Sequence, residues 1–145
     1  MRITTLAVAC SIAFAVADIA YADNLVISKD QIDTSSSGWE KDVKKHSAAT
    51  LTAQNDAWTM YFVAFLNKQP GAKEVQLVFY DSAVKQHEPT NAFAIATQPS
   101  AKILTSNITI SPEQNFKAGH TYKVMVTRLV GGKEVVYAAT HVTLK

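Results

Sequence analysis

From Tyr122 onward the chain alternates. Tyr122, Val124 and Val126 form one row, and Lys123, Met125 and Thr127 form the other. A period of two places one row of a strand on a core face. Val130-Gly131-Gly132-Lys133 marks a turn, because paired glycines adopt positive φ without steric cost. The return strand, 134–144, puts Val136, Ala138, Val142 and Leu144 on its core row, interrupted by Thr140. Even rows meet even rows only across an odd-numbered connection, so the pattern predicts a three-residue loop with a bulge.

Upstream, residues 58–66 are apolar in both rows: Trp58, Met60, Phe62 and Ala64 on one side, Thr59, Tyr61, Val63 and Phe65 on the other. That predicts a central strand covered on both faces. Pro70-Gly71 suits the middle of a type II turn. Beyond it Val75, Leu77 and Phe79 alternate with Gln76, Val78 and Tyr80, which predicts a hairpin with the preceding strand. Shorter strands are predicted over 25–28, 49–53, 92–97 and 103–110, with Pro89 and Pro99 between runs, where strand breakers belong. Over 38–46 the four-residue spacing of Trp39 and Val43 permits a short amphipathic helix; a polar loop and an edge strand remain open. About seven or eight short strands at regular spacing predict an all-β fold, a single antiparallel β-sandwich over residues 23–145.

One local motif is more specific. Ser111-Pro112-Glu113 can open a single helical turn, with Ser as cap and Pro in first position. Phe116, Gly119 and Tyr122 follow at the start of a strand. Over about residues 110–145 this resembles the tyrosine corner of immunoglobulin-like and fibronectin-like Greek-key sandwiches. The resemblance implies that the Tyr122 hydroxyl bonds backbone a few residues upstream, with Gly119 in the corner loop. The inter-sheet disulfide of antibody domains is absent.

The first residues bear on compartment. Arg2 gives a positive start, 3–16 is apolar apart from Thr4, Thr5 and Ser11, and Ala20-Tyr21-Ala22 supplies a small-x-small cleavage pattern. The expectation is a signal peptide over 1–22, cleavage after Ala22, and export to the bacterial periplasm or beyond. An uncleaved anchor would be barely long enough to span a bilayer and would carry Asp18; after cleavage no membrane span is expected. Cys10, the single cysteine, leaves with the leader, so stability must come from an apolar core and not from disulfides.

Net charge is +2, with Lys44-Lys45 the densest basic spot. That argues against nucleic acid as a partner. His46, His87, His120 and His141 lie too far apart for a metal-ligand motif. Asp81, Glu88 and Glu113 form no acid/base pattern, and there is no Gly-x-Ser-x-Gly elbow. No catalytic, cofactor or metal residue is expected. What remains is apolar surplus on rows that should be wet: Tyr80, Met125, Leu129 and Tyr137, with Trp39 the best single aromatic. Either the chain covers this surface itself, with 38–46 or 82–91, or it is an interaction surface. The expected function is an exported, non-enzymatic module binding a protein partner or a second copy. The alternatives are a carbohydrate or small-ligand module, favoured by a row of exposed aromatics, and a metal-binding or hydrolytic protein.

Overall fold

The computed structural model describes residues 24–85 and 88–145. The expected leader over 1–22, and His87, lie outside the described residues. Eight strands form in chain order: β1 Leu25–Ser28, β2 Thr50–Leu51, β3 Trp58–Phe65, β4 Glu74–Asp81, β5 Asn91–Ala96, β6 Ile103–Ile110, β7 Thr121–Val130 and β8 Lys133–Leu144. Between β1 and β2 runs one helical segment, α1 Trp39–Asp42, continued by a 3-10 turn over Val43–His46. The strands make two sheets, β1-β3-β6 and β2-β8-β7-β4-β5. Pairing is antiparallel except for the two-residue β2, which lies parallel to the end of β8.

The fold is an all-β sandwich whose core comes from one row of each strand. Leu25, Ile27, Trp58, Met60, Phe62, Leu104 and Ile110 pack from the three-stranded sheet against Val75, Leu77, Phe79, Tyr122, Val124, Val126, Ala138 and Val142. Each fully buried side chain of this size contributes about 1.5–3 kcal/mol. Phe116, in the turn before β7, meets the Phe79 ring edge-on at 5.0 Å and the Tyr122 ring at 5.3 Å.

β3 is the central strand its two apolar rows predict, yet it does not form a hairpin with β4. The two lie in different sheets, and residues 66–73 cross between them. Gly71 has the positive φ, +65°, that a turn here requires. Pro70 is buried and its carbonyl accepts from Arg128 Nη1 at 2.7 Å and from the Tyr137 hydroxyl at 3.3 Å, so the crossing is anchored to the far sheet.

The parity of the last hairpin is satisfied by different means from the predicted loop. The turn is two residues, Gly131 (φ +57°) and Gly132 (φ +78°), closed by Val130 opposite Lys133. The odd residue sits inside β8: Val126 opposes Ala138 and Thr127 opposes Val136, leaving Tyr137 as a bulge. Rows therefore exchange at that point. Val136 moves to the outer face, and Tyr137 and Val135 turn toward the core. Beyond the short β2 this stretch of β8 is a sheet edge, and Asn24 takes its outward backbone groups, joined by the Asn67 N–H, which donates to the Tyr137 carbonyl at 3.1 Å. The Asn24 Oδ1 accepts from Ala139 N–H at 3.1 Å, and its Nδ2 donates to the Tyr137 carbonyl at 2.9 Å and to the Phe65 carbonyl at 3.0 Å. One carboxamide thus bonds both sheets.

At the corner, Ser111 and Gln114 form a capping box around a 3-10 turn with Pro112 in first position. The Lys117 N–H donates to the buried Tyr122 hydroxyl at 2.8 Å. Gly119 has φ +85° and its N–H donates to the Leu144 carbonyl.

Candidate functional site

The two sheets present different outer faces. On the three-stranded sheet, Val26, Val63, Phe65 and Ile103 are covered by Ile32, Trp39 and Val43 from the segment after β1. Val43 is fully buried, and the Trp39 ring stacks on Phe65 at 6.4 Å. Residues 38–46 are therefore a helical cover. Trp39 belongs to it and to the sheet opposite Tyr80, Met125 and Leu129, so it does not join an interaction surface with them.

The outer face of the five-stranded sheet has an apolar centre. Val78, Met125 and Ala139 lie opposite one another across β4, β7 and β8. Small side chains shelter beside larger ones there: Val78 is 5%, Met125 8% and Ala139 2% exposed. Further along the same row of β7, Leu129 is 71% exposed. Tyr137, expected on this face, is instead buried on the core side, because the bulge reverses its row. Of the residues expected on this face, Leu129 is exposed, Tyr80 is half-buried and Met125 is nearly covered.

An open depression of about 440 Å³ lies here, lined by Tyr80, Ser82, Val84, Lys123, Met125, Glu134 and His141 among others. Its far wall comes from the hairpin end. Tyr80 is opposite Lys123, whereas Glu134 is opposite Leu129 six residues further along β7, yet the Tyr80 hydroxyl donates to Glu134 Oε1 at 3.3 Å. The contact brings the hairpin end back over the sheet, and the bulge at Tyr137, a feature that increases local twist, lies between the two. Partial burial, and then the nearby Glu134 carboxylate, push the Tyr80 phenol above its ordinary pKa.

At the rim, Asp81 accepts from His120 Nδ1 at 2.7 Å and from the Ala83 N–H at 2.9 Å. Its side chain is 8% exposed. Burial pushes this carboxyl up. The Ala83 N–H, His120 and the Lys117 charge together outweigh burial and hold it below the usual carboxylate value. This pair, 39 residues apart in sequence, has no local signal; it follows only once Asp81 is known to sit opposite Tyr122.

Among the described residues, no three His, Cys, Asp or Glu side chains converge as a metal-binding group, and every Phe, Tyr and Trp is at least partly buried. A row of aromatics for sugar stacking is therefore not what this face offers. No helix among the described residues is long and apolar enough to cross a membrane. Neither a protein-family model, nor a curated protein, nor a solved structure matches the chain.

Proposed function

We propose that this chain is an exported, non-enzymatic binding module of the immunoglobulin-like Greek-key type, and that it docks a protein partner on the outer face of its five-stranded sheet. The topological part is supported by the strand order β1-β3-β6 against β2-β8-β7-β4-β5 and by the tyrosine-corner bond from Lys117 N–H to Tyr122. The functional part rests on one observation. Three large hydrophobic residues are exposed among the described residues, Val84 at 53%, Leu129 at 71% and Val130 at 44%, and all three lie around this face or at its hairpin end. An apolar centre within a polar rim of Tyr80, Glu134 and His141 is the anatomy of a protein-binding patch. The matching partner presents apolar side chains to Val84 and Leu129.

The test is site-specific photo-crosslinking in the envelope of the expressing bacterium. A crosslinker at Leu129 should trap one discrete protein, and Val84→Lys should abolish the adduct while leaving the far-ultraviolet spectrum unchanged. A crosslinker at Thr59, on the outer row of the opposite sheet, should trap nothing. Equal adducts from both positions, or none from Leu129, would defeat the reading.

A further inference from the structure

β5 is an edge strand of the five-stranded sheet, and its hydrogen-bonding pattern is legible from its register. Val75 opposes Ile95 and Leu77 opposes Phe93, and in the same register the Thr97 N–H donates to the Lys73 carbonyl at 2.9 Å. In an antiparallel ladder, residues alternate between those that exchange bonds with the neighbour and those whose N–H and C=O point away. The odd residues of β5 therefore bond β4, and Ala92, Ala94 and Ala96 aim their backbone groups outward. All three are exposed. The Ala92 N–H is taken by the Asn91 side chain at 2.8 Å. Among the described residues, the donors and acceptors of Ala94 and Ala96 have no partner strand on that side.

Such an edge is ordinarily blunted by charge, proline, a bulge or brevity. At the other edge β2 covers only Thr143 and Leu144 of β8, and further along β8 the outward groups of Val136, Tyr137 and Ala139 are taken by Asn24 and Asn67. β5 has no such device along its middle, its nearest prolines, Pro89 and Pro99, lying beyond its ends. Residues 90–98 contain neither charge nor proline, and the side chains that stand beside the outward backbone groups are methyls. The chemistry that satisfies this edge is an extended polypeptide backbone.

We infer that the occupant is β5 of a second copy, added antiparallel about a two-fold axis near Ala94 to make one continuous ten-stranded sheet. Two features favour self-pairing. Methyl side chains at Ala92, Ala94 and Ala96 meet their own kind without clash. The uncharged run is bracketed by exposed Glu88 on one side and exposed Lys102 on the other. Antiparallel self-pairing brings the Glu88 end of one copy toward the Lys102 end of the other, whereas parallel pairing sets like charges together. A six-residue edge buries little area, so the dimer is weak and concentration-dependent. This inference does not depend on the docking face of the preceding subsection.

The test follows the purified protein by sedimentation and amide hydrogen exchange from about 10 µM to about 1 mM. Wild type should pass from monomer to dimer, with protection gained at the Ala94 and Ala96 amides. Ala94→Pro removes an N–H that β4 does not use, so it should weaken dimerisation at least about tenfold while the β4–β5 ladder persists. Ala94→Lys, which keeps the backbone intact, should do the same by setting like charges across the axis, with partial recovery at high salt. Asn107→Pro makes the equivalent block on β6, the long edge of the other sheet, and should leave the dimer unchanged. A strict monomer at about 1 mM would overturn the inference. So would a dimer indifferent to both Ala94 variants, a dimer abolished by Asn107→Pro, or a monomer that adds only a strand from another protein.

Discussion

On the three-stranded sheet, bulky residues stand on the outer row, and the chain returns a helical segment to cover them. On the five-stranded sheet, no helix among the described residues does so, and the outer row is built differently. Val63, Phe65 and Ile103 present large apolar surfaces that only a separate layer can remove from water. Ala92, Ala94, Ala96 and Ala139 present little, and the larger Val78 and Met125 are sheltered by their neighbours in the sheet. An apolar row therefore does not by itself call for a cover; residue size along the row decides. Where the sheltering fails, at Leu129, surface is left for another molecule.

The sharpest way to break this contrast is Val43→Asp. A carboxylate in the fully buried contact with Val26 and Val63 should cost about 3 kcal/mol or more, read as a drop in urea midpoint. A loss under about 1 kcal/mol would mean the cover is dispensable. Next comes Trp39→Ala, at about 2 kcal/mol, below the roughly 3–5 of a fully buried tryptophan because Trp39 keeps part of its surface in water. Tyr122→Phe, away from both outer faces, should cost about 1–2 kcal/mol, since it orphans the Lys117 N–H. Indistinguishable unfolding curves would remove the corner as a stabilising element.

The rim of the open face should respond to acid. Asp81 is held below its ordinary pKa in the fold, so its stabilising contribution is complete above the unfolded value of about 3.9 and is lost as pH falls through the folded one. Asp81→Asn should therefore lower stability at neutral pH and flatten its decline below about pH 4. An unchanged acid limb would show that the carboxylate is not coupled to folding. The smallest effect belongs to Leu129→Lys, within about 0.5 kcal/mol because that side chain is largely in water already. A larger loss would mean that Leu129 is packed, and the two faces would then differ less than described.

Much of the fold was legible in advance because alternation is a local signal. The ranges 25–28 and 103–110 match β1 and β6, and 58–66, 92–97 and 134–144 differ from their strands by a residue at the ends. Partner choice is not local. Pro70-Gly71 reads as a hairpin turn, and nothing in 66–73 says that Pro70 is anchored by Arg128 and Tyr137 from the opposite sheet. The need for one odd residue between β7 and β8 follows from the rows themselves, but two glycines drew it into the turn, whereas it lies at Tyr137. That displacement is why Tyr137 and Val136 carry the wrong faces in the sequence reading. The placement of Tyr80, Met125 and Leu129 on outer rows was recoverable from parity. Asp81–His120 and the carboxamide of Asn24 were not, because each depends on contacts made far along the chain.

Asn24 also has a consequence for when this fold can exist. Its bonds to Tyr137 and Ala139 span 113 and 115 positions, and the indole N–H of Trp58 donates to the carbonyl of Lys145, 87 positions away. The start of the domain is thus locked by its last strand. A chain that emerges from its amino end cannot complete these contacts until β8 has arrived. Closure therefore waits on the arrival of β8 and not on the assembly of the strands before it.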